Sequence, residues 1–153
     1  MATLTVTLQE DLVLNNSQQG GTITKEVTGI NESSKRMLTI TTNESTIATM
    51  SGAVASSGHF NDSAVRYMRF TNLDGTNHVT LTFRNQDNDE FAMKVDAGNS
   101  FMVFADNSGG MVGMFIATQD ADAASDTALG SITNIQADAG ASTVRIEMFV
   151  ATT

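Results

Sequence analysis

Among the side chains able to do chemistry, one group is Asp120, Asp122 and Asp126 in the run QDADAASD. Carboxylates gathered in one flexible loop suit calcium, a hard cation that takes oxygen ligands. An EF-hand loop needs Gly at its sixth position and Glu at its twelfth, and counting from Asp120 those positions hold Ser125 and Ser131. The specific motif fails, so the expectation is a solvated acidic loop without a metal. The two histidines, His59 and His78, stand alone in the sequence. A Ser-His-Asp site is defined by geometry rather than spacing, but surface or rim histidines are far commoner. There is no cysteine, hence no thiolate nucleophile, zinc–thiolate site or disulfide. Neither G-x-x-x-x-G-K nor G-x-G-x-x-G occurs, and the DNSGG around Ser108 is not a nucleophile elbow. The reading is a protein that is not an enzyme, with no catalytic residue, cofactor or metal assigned.

Three other side chains are candidates for contact with a partner: Arg66, Tyr67 and Arg69. They fall in AVRYMRFTNLDGTNHVTLTFR, Ala64 to Arg84, which reads as two strands joined at Asp74-Gly75. Asp-Gly between alternating runs is the strongest short-range hairpin signal. On that pairing Phe70 faces Val79, Met68 faces Leu81 and Arg66 faces Phe83, while Tyr67, Arg69, Thr71, His78, Thr80, Thr82 and Arg84 share the opposite, polar face. Arg66 is then the departure on an apolar face. It either snorkels out at the sheet rim or meets an acid on a neighbouring chain. Gly75→Val is expected to destabilise such a hairpin, because a primed turn needs φ > 0.

The elements around this stretch are short strands. Leu4, Val6 and Leu8 alternate with Thr3, Thr5 and Thr7, a half-buried strand. Asp11–Leu14 leads through NNSQQGG into Thr22–Val27, a hairpin with a longer Gly-containing loop. Asn31–Ser34 reads as a turn, with strands near Met37–Thr41 and Thr46–Met50, and Ser51–Asp62 as a loop crossing between sheets. Beyond the acidic turn Gln86–Asp89, Phe91, Met93 and Val95 alternate with polar residues. The turn DAGN returns the chain as Phe101–Phe104, with Met102 and Phe104 on the face of Met93. Met111–Thr118 is a nearly continuous apolar run, as in a strand covered on both faces, and 119–128 is the only helical candidate. Ile132 and Ile135 lie in a short strand. Val144, Ile146, Met148 and Val150 mark the last one. Ten or eleven strands without a long helix predict an all-β fold: a single domain over 1–153, built as a two-sheet antiparallel sandwich, jelly-roll-like.

Composition bounds the function. The 153 residues carry eight bases and seventeen acids, a net charge of −9. DNA binding rests on Lys and Arg neutralising phosphates, so no nucleic-acid partner is expected. The start MATLTVTLQEDL lacks a basic region followed by an apolar core, and Met111–Ala117 is too short to span a bilayer; no membrane partner is expected. Asn15-Asn-Ser and Asn61-Asp-Ser read as turn chemistry rather than glycosylation sites. The nine methionines read as adaptable core filling.

The runs YMRFTNLDGTNHVTL, DAGNSFMVF and SITNIQADAGASTVRIEMFVATT resemble small virion structural proteins of tailed phages infecting marine bacteria, capsid decoration or tail-associated β proteins. The opening TVTLQEDLVLNN and GGTITKEVTGIN is similar to the start of the same proteins. The resemblance implies a virion component, assembled in the host cytoplasm, with the major capsid protein or other virion proteins as partners. It transfers no functional residue. The expected function is capsid decoration or cementing on the outer shell, as a homo-oligomer; the alternative is a tail fibre or spike module that binds a host-surface glycan. Millimolar calcium is expected to leave the melting temperature unchanged. A rise of several degrees that Asp122→Ala abolishes would instead make the acidic loop a metal site.

Overall fold

The computed structural model describes residues 1–52, 56–105, 109–111, 116–117, 127–128 and 132–153. The chain opens with a long two-stranded ribbon. β1 (Ala2–Gln9) leads through β2 (Val13–Leu14) and β3 (Ser17–Gln18) to β4 (Thr22–Ile30). β1 pairs antiparallel with β4, and β2 with β3. Asn15 and Asn16 close the tip with φ of 51° and 61°, the pair of positive values a type I′ hairpin turn requires and Asn tolerates.

The remaining strands are β5 (Glu32–Ile40), β6 (Ser45–Met50), β7 (His59–Phe60), β8 (Val65–Asn72), β9 (Val79–Asn85), β10 (Glu90–Val95), β11 (Ser100–Phe104), β12 (Ile116–Ala117), β13 (Thr127–Ala128), β14 (Ile132–Ala139) and β15 (Val144–Thr152). One sheet has the order β11-β8-β15-β5, the other β10-β9-β14-β6-β7. β7 adds to β6 in parallel, and every other pair is antiparallel. β12 and β13 pair with each other. The protein is all-β, and its two main sheets pack face to face as a sandwich.

The eight longer strands from β5 onward are nested. The first pairs with the last (β5 with β15), the second with the seventh (β6 with β14), the third with the sixth (β8 with β11), and the fourth with the fifth (β9 with β10). Successive pairs fall in alternate sheets.

Alternation puts Met68, Phe70, Ile146, Met148 and Val150 of one sheet against Leu81, Phe83 and Ile135 of the other, all at 1% exposure or less. Phe83 organises the centre. It meets Phe70 edge-on across the sandwich at 6.2 Å and stacks on its hairpin neighbour Phe91 at 4.7 Å. Each fully buried side chain of this size contributes roughly 1.5–3 kcal/mol.

The expected hairpin at Asp74-Gly75 does not form. β8 and β9 lie in opposite sheets, and both edges of each are already occupied, β8 by β11 and β15, β9 by β10 and β14. Residues 73–78 therefore arch over the end of the sandwich, and Phe70 and Phe83 meet as facing residues of two layers. Within the arch the Asp74 Oδ1 accepts the backbone N–H groups of Thr76 and Asn77 at 2.8 and 2.7 Å. Gly75 has no positive φ, and a Cβ there would meet nothing within 4 Å.

Asn72 ties this arch to its neighbour, residues 96–99, which also crosses between sheets. Its buried amide donates to Asn77 O at 2.8 Å and Val95 O at 3.1 Å and accepts from Asp74 N. The true hairpin of this region is β9–β10, closed by Asn85, whose Oδ1 accepts from Asp87 N and Asp89 N.

Smaller expectations change as well. Asp11–Leu14 does not pair with Thr22–Val27 across a long loop: β4 pairs with β1, and Val13–Leu14 turns at Asn15-Asn16 to pair with Ser17–Gln18. Glu32–Ser34 is the start of β5 rather than a turn, held by Val150–Thr152. The turn DAGN leads into the opposite sheet, so Phe101 and Val103 pack inward while Met102 and Phe104 face out. Thr127–Ala128 is a strand pair partner, not part of a helix. Most of the apolar run after Met111, and 119–126 with its three aspartates, lies outside the described residues.

Asn72→Ala is expected to destabilise the protein by about 3 kcal/mol in urea unfolding, because the buried carbonyl of Val95 and the part-buried one of Asn77 lose their donor. Gly75→Val should stay within about 0.5 kcal/mol of wild type, as a change at an open loop position does.

Candidate interaction surfaces

The three sequence candidates share one strand but not one fate. Arg66 has the parity of Met68 and Phe70 and is only 9% exposed. Its Nη1 donates to the carbonyls of Ser63 at 2.7 Å and Val65 at 3.1 Å. The guanidinium thus closes its own loop at the sandwich end.

Tyr67 points out of the sheet but is 3% exposed, because the base of the ribbon lies over it. Val27 and Ile30 of β4 and Leu4 and Val6 of β1 pack on Tyr67, Phe149 and Ala151 as a second, smaller core. The Tyr67 ring lies 5.0 Å from Phe104 and 6.0 Å from Phe149. Burial pushes its hydroxyl pKa up, against the opposing pull of Arg69.

Arg69 belongs to the part of that outer face the ribbon leaves open. Register places Met102, Arg69, Phe149 and Lys35 in one row across the sheet, with Ser100, Thr71, Glu147 and Met37 in the next, and Arg145 beside Thr39 beyond. Glu147 is the centre of its charge. Lys35 Nζ reaches one carboxylate oxygen at 2.8 Å and Arg69 Nη2 the other. The hydrogen bond from Lys35 and, less strongly, the charges of both bases hold the Glu147 carboxyl below the usual value. Arg145 is exposed and has no ion-pair partner among the described residues.

The other sheet presents a polar outer face, with Thr80 and Arg84 partly exposed on β9 and Glu90 and Lys94 exposed on β10. Arg84 pairs with Glu90 at 2.7 Å.

A cleft of about 390 Å³ opens between β7 and the paired ends of β5 and β15. Its walls include His59, Glu32, Ser33 and Ser34, yet among the described residues no hydrogen bond joins His59 to any of these three. His78 is elsewhere, with its ring against Gly140. Among the described residues no three His, Asp or Glu side chains gather closely enough to hold a metal.

The feature sequence reasoning missed is the outer half of the ribbon. Leu8, Leu12, Val13, Leu14 and Ile23 are between 48% and 67% exposed. The alternation that contains Leu8 reads as a half-buried strand and Leu12–Leu14 as part of a hairpin, and the signal that could have set them apart is the absence of a second apolar stretch to cover them. The polar pattern of Asn61 is turn chemistry as expected: its Oδ1 accepts from Ser63 N and Oγ.

Compared with protein-family models, curated proteins and solved structures, the chain matches none. Fold and surface chemistry therefore carry the functional reading.

Depressed carboxylate pKa values make stability pH-dependent in one direction. Glu147, Asp74 and Asp96 are all lowered in the folded state, by Lys35, by backbone N–H groups of Asn77 and Thr76, and by Lys94 respectively. Their stabilisation is present above the unfolded values, near 4.5 for Glu and 3.8 for Asp, and is lost as pH falls through the folded ones. Melting should fall on acidification below 4.5, and Glu147→Gln should make that acid limb shallower while leaving the neutral-pH fold intact.

Proposed function

We propose that the chain is a non-enzymatic structural subunit of a virion that decorates the outer surface of a capsid shell. The observation that carries this reading is the ribbon. A two-stranded element standing off a packed sandwich with five large apolar side chains in solvent fits a subunit completed by other protein, since patches of this kind on a soluble chain mark interaction sites.

Three further features support the shell in particular. The quoted runs resemble virion structural proteins of tailed phages. The net charge of −9 would be repelled by packaged DNA, which favours the exterior over the lumen. The nested orders β5-β15-β8-β11 and β6-β14-β9-β10 support a jelly-roll version of the sandwich, a fold frequent in capsid proteins. That last support is fold-level analogy.

Decoration proteins are added in many copies, and symmetry multiplies each modest interface. Purified protein should bind expanded empty capsids of the phage that encodes it stoichiometrically and raise their resistance to heat. It should leave bacterial cells and their glycans unbound. Competition with phage adsorption to cells, without capsid binding, would move the protein to the tail.

A further inference from the structure

The ribbon has one largely apolar face, interrupted by the exposed Lys25 opposite Val6. Leu4 opposes Val27, and Leu8 opposes Ile23 four positions further out, so all four side chains share a side. The inner pair is on the sheet: Val27 is buried and Leu4 packs with it above Tyr67 and Ala151. The outer pair is in solvent, Leu8 at 48% and Ile23 at 67% exposure, and the tip adds Leu12, Val13 and Leu14 at 54%, 65% and 56%. The apolar face therefore runs on past the surface that covers its first half.

Backbone bonds continue to the tip, with Glu10 N–H donating to Gly21 O and Gln19 N–H to Leu12 O, both at 2.8 Å. From Val6 to Leu14 the arm spans about 26 Å at roughly 3.3 Å per residue. An isolated two-stranded ribbon is marginal in water, and this one gains stability when something covers it.

Charge indicates what. No Lys or Arg precedes Lys25, and Glu10 and Asp11 stand beside the apolar tip. Among the described residues, the open half of the outer face of the β11-β8-β15-β5 sheet has the opposite sign: Lys35, Arg69 and Arg145 against Glu147, in a chain with more than twice as many acids as bases. Met37 and Met102 are 48% and 37% exposed on that same face.

We propose that the ribbon tip of one molecule docks on this face of a second copy, its acids against Lys35 and Arg145 and its aliphatic side chains on Met37 and Met102. Donor and acceptor surfaces differ, so the contact is heterologous: each molecule gives one arm and receives one, which builds rings or open chains rather than isologous dimers. This holds whether or not the assembly is a capsid.

The test is complementation by charge, read by sedimentation velocity of the full chain at high micromolar concentration. One variant carries Glu10→Lys and Asp11→Lys, a second Lys35→Glu and Arg145→Glu; all four positions are exposed, and both variants should fold as wild type by circular dichroism, the second melting lower because it puts a like charge beside Glu147. Wild type should self-associate, each variant alone should associate at least tenfold more weakly, and an equimolar mixture should recover association, because each tip then meets a face of opposite sign. A monomeric wild type overturns the proposal. So does a wild type whose association neither variant changes, or a mixture that stays as weak as its parts.

Discussion

The structure depends on a buried amide at the end of β8. Asn72 is 1% exposed and stands where two chain crossovers leave one sheet for the other. Its Nδ2 satisfies the carbonyls of Asn77 and Val95, its Oδ1 receives the N–H of Asp74, and its own N–H reaches Asn99 O at 2.9 Å. The site needs two side-chain donors and an acceptor, which an amide supplies and a carboxylate does not. A buried carbonyl left without a donor is expensive, so both arches are held where their ends meet. The strands they join are thereby kept in opposite sheets, and Phe70 meets Phe83 across the sandwich.

The first sheet then has two very different halves on its outer side. Over Tyr67 and Ala151 it is a small apolar core roofed by the ribbon base. Over Arg69, Glu147, Lys35 and Arg145 it is open, charged and flanked by methionines. The same ribbon is responsible for both, because its cover stops between Val6 and Leu8. An acidic chain with a local surplus of bases on one face, and an acidic apolar arm leaving from beside it, has the two halves of a contact within one molecule. The buried Arg66 takes no part in this; its donors are used within its own loop.

How much was legible varies by element. β1, β10 and β15 follow from alternation alone, and the all-β class from their number and the lack of a long helix. The hairpin at Asp74-Gly75 was misread for a definite reason. A hairpin with one buried face and an arch between two layers place the same alternate residues, Met68, Phe70, Leu81 and Phe83, against the core. Periodicity reports burial and is silent on which strand supplies the hydrogen bonds. In the nested order observed, β8 and β9 are the third and fourth of the eight longer strands and fall in opposite sheets, which leaves no place for that hairpin. Of the contact candidates, Tyr67 and Arg69 face away from the main core as alternation implies, but Tyr67 lies in a second apolar cluster and not on a polar face. Lys35, Arg145 and Glu147 were invisible as a group because they come from strands more than a hundred residues apart.

By itself the sequence determined what is local or summed: most of the strands, the alternation of sides along each one, the acidic balance, and the Asn-Asn and Asn-Asp turns whose backbone conformations those residues favour. The tertiary structure decided what depends on edges and distance. Each strand has two edges, and which neighbours occupy them is settled by competition among all strands at once, with the buried polar groups of Asn72 and Asn85 admitting few answers. Only that competition covers Tyr67, gathers Lys35, Arg69 and Glu147, and leaves Leu8 and Ile23 in water, because exposure belongs to the packed whole and not to any stretch of chain.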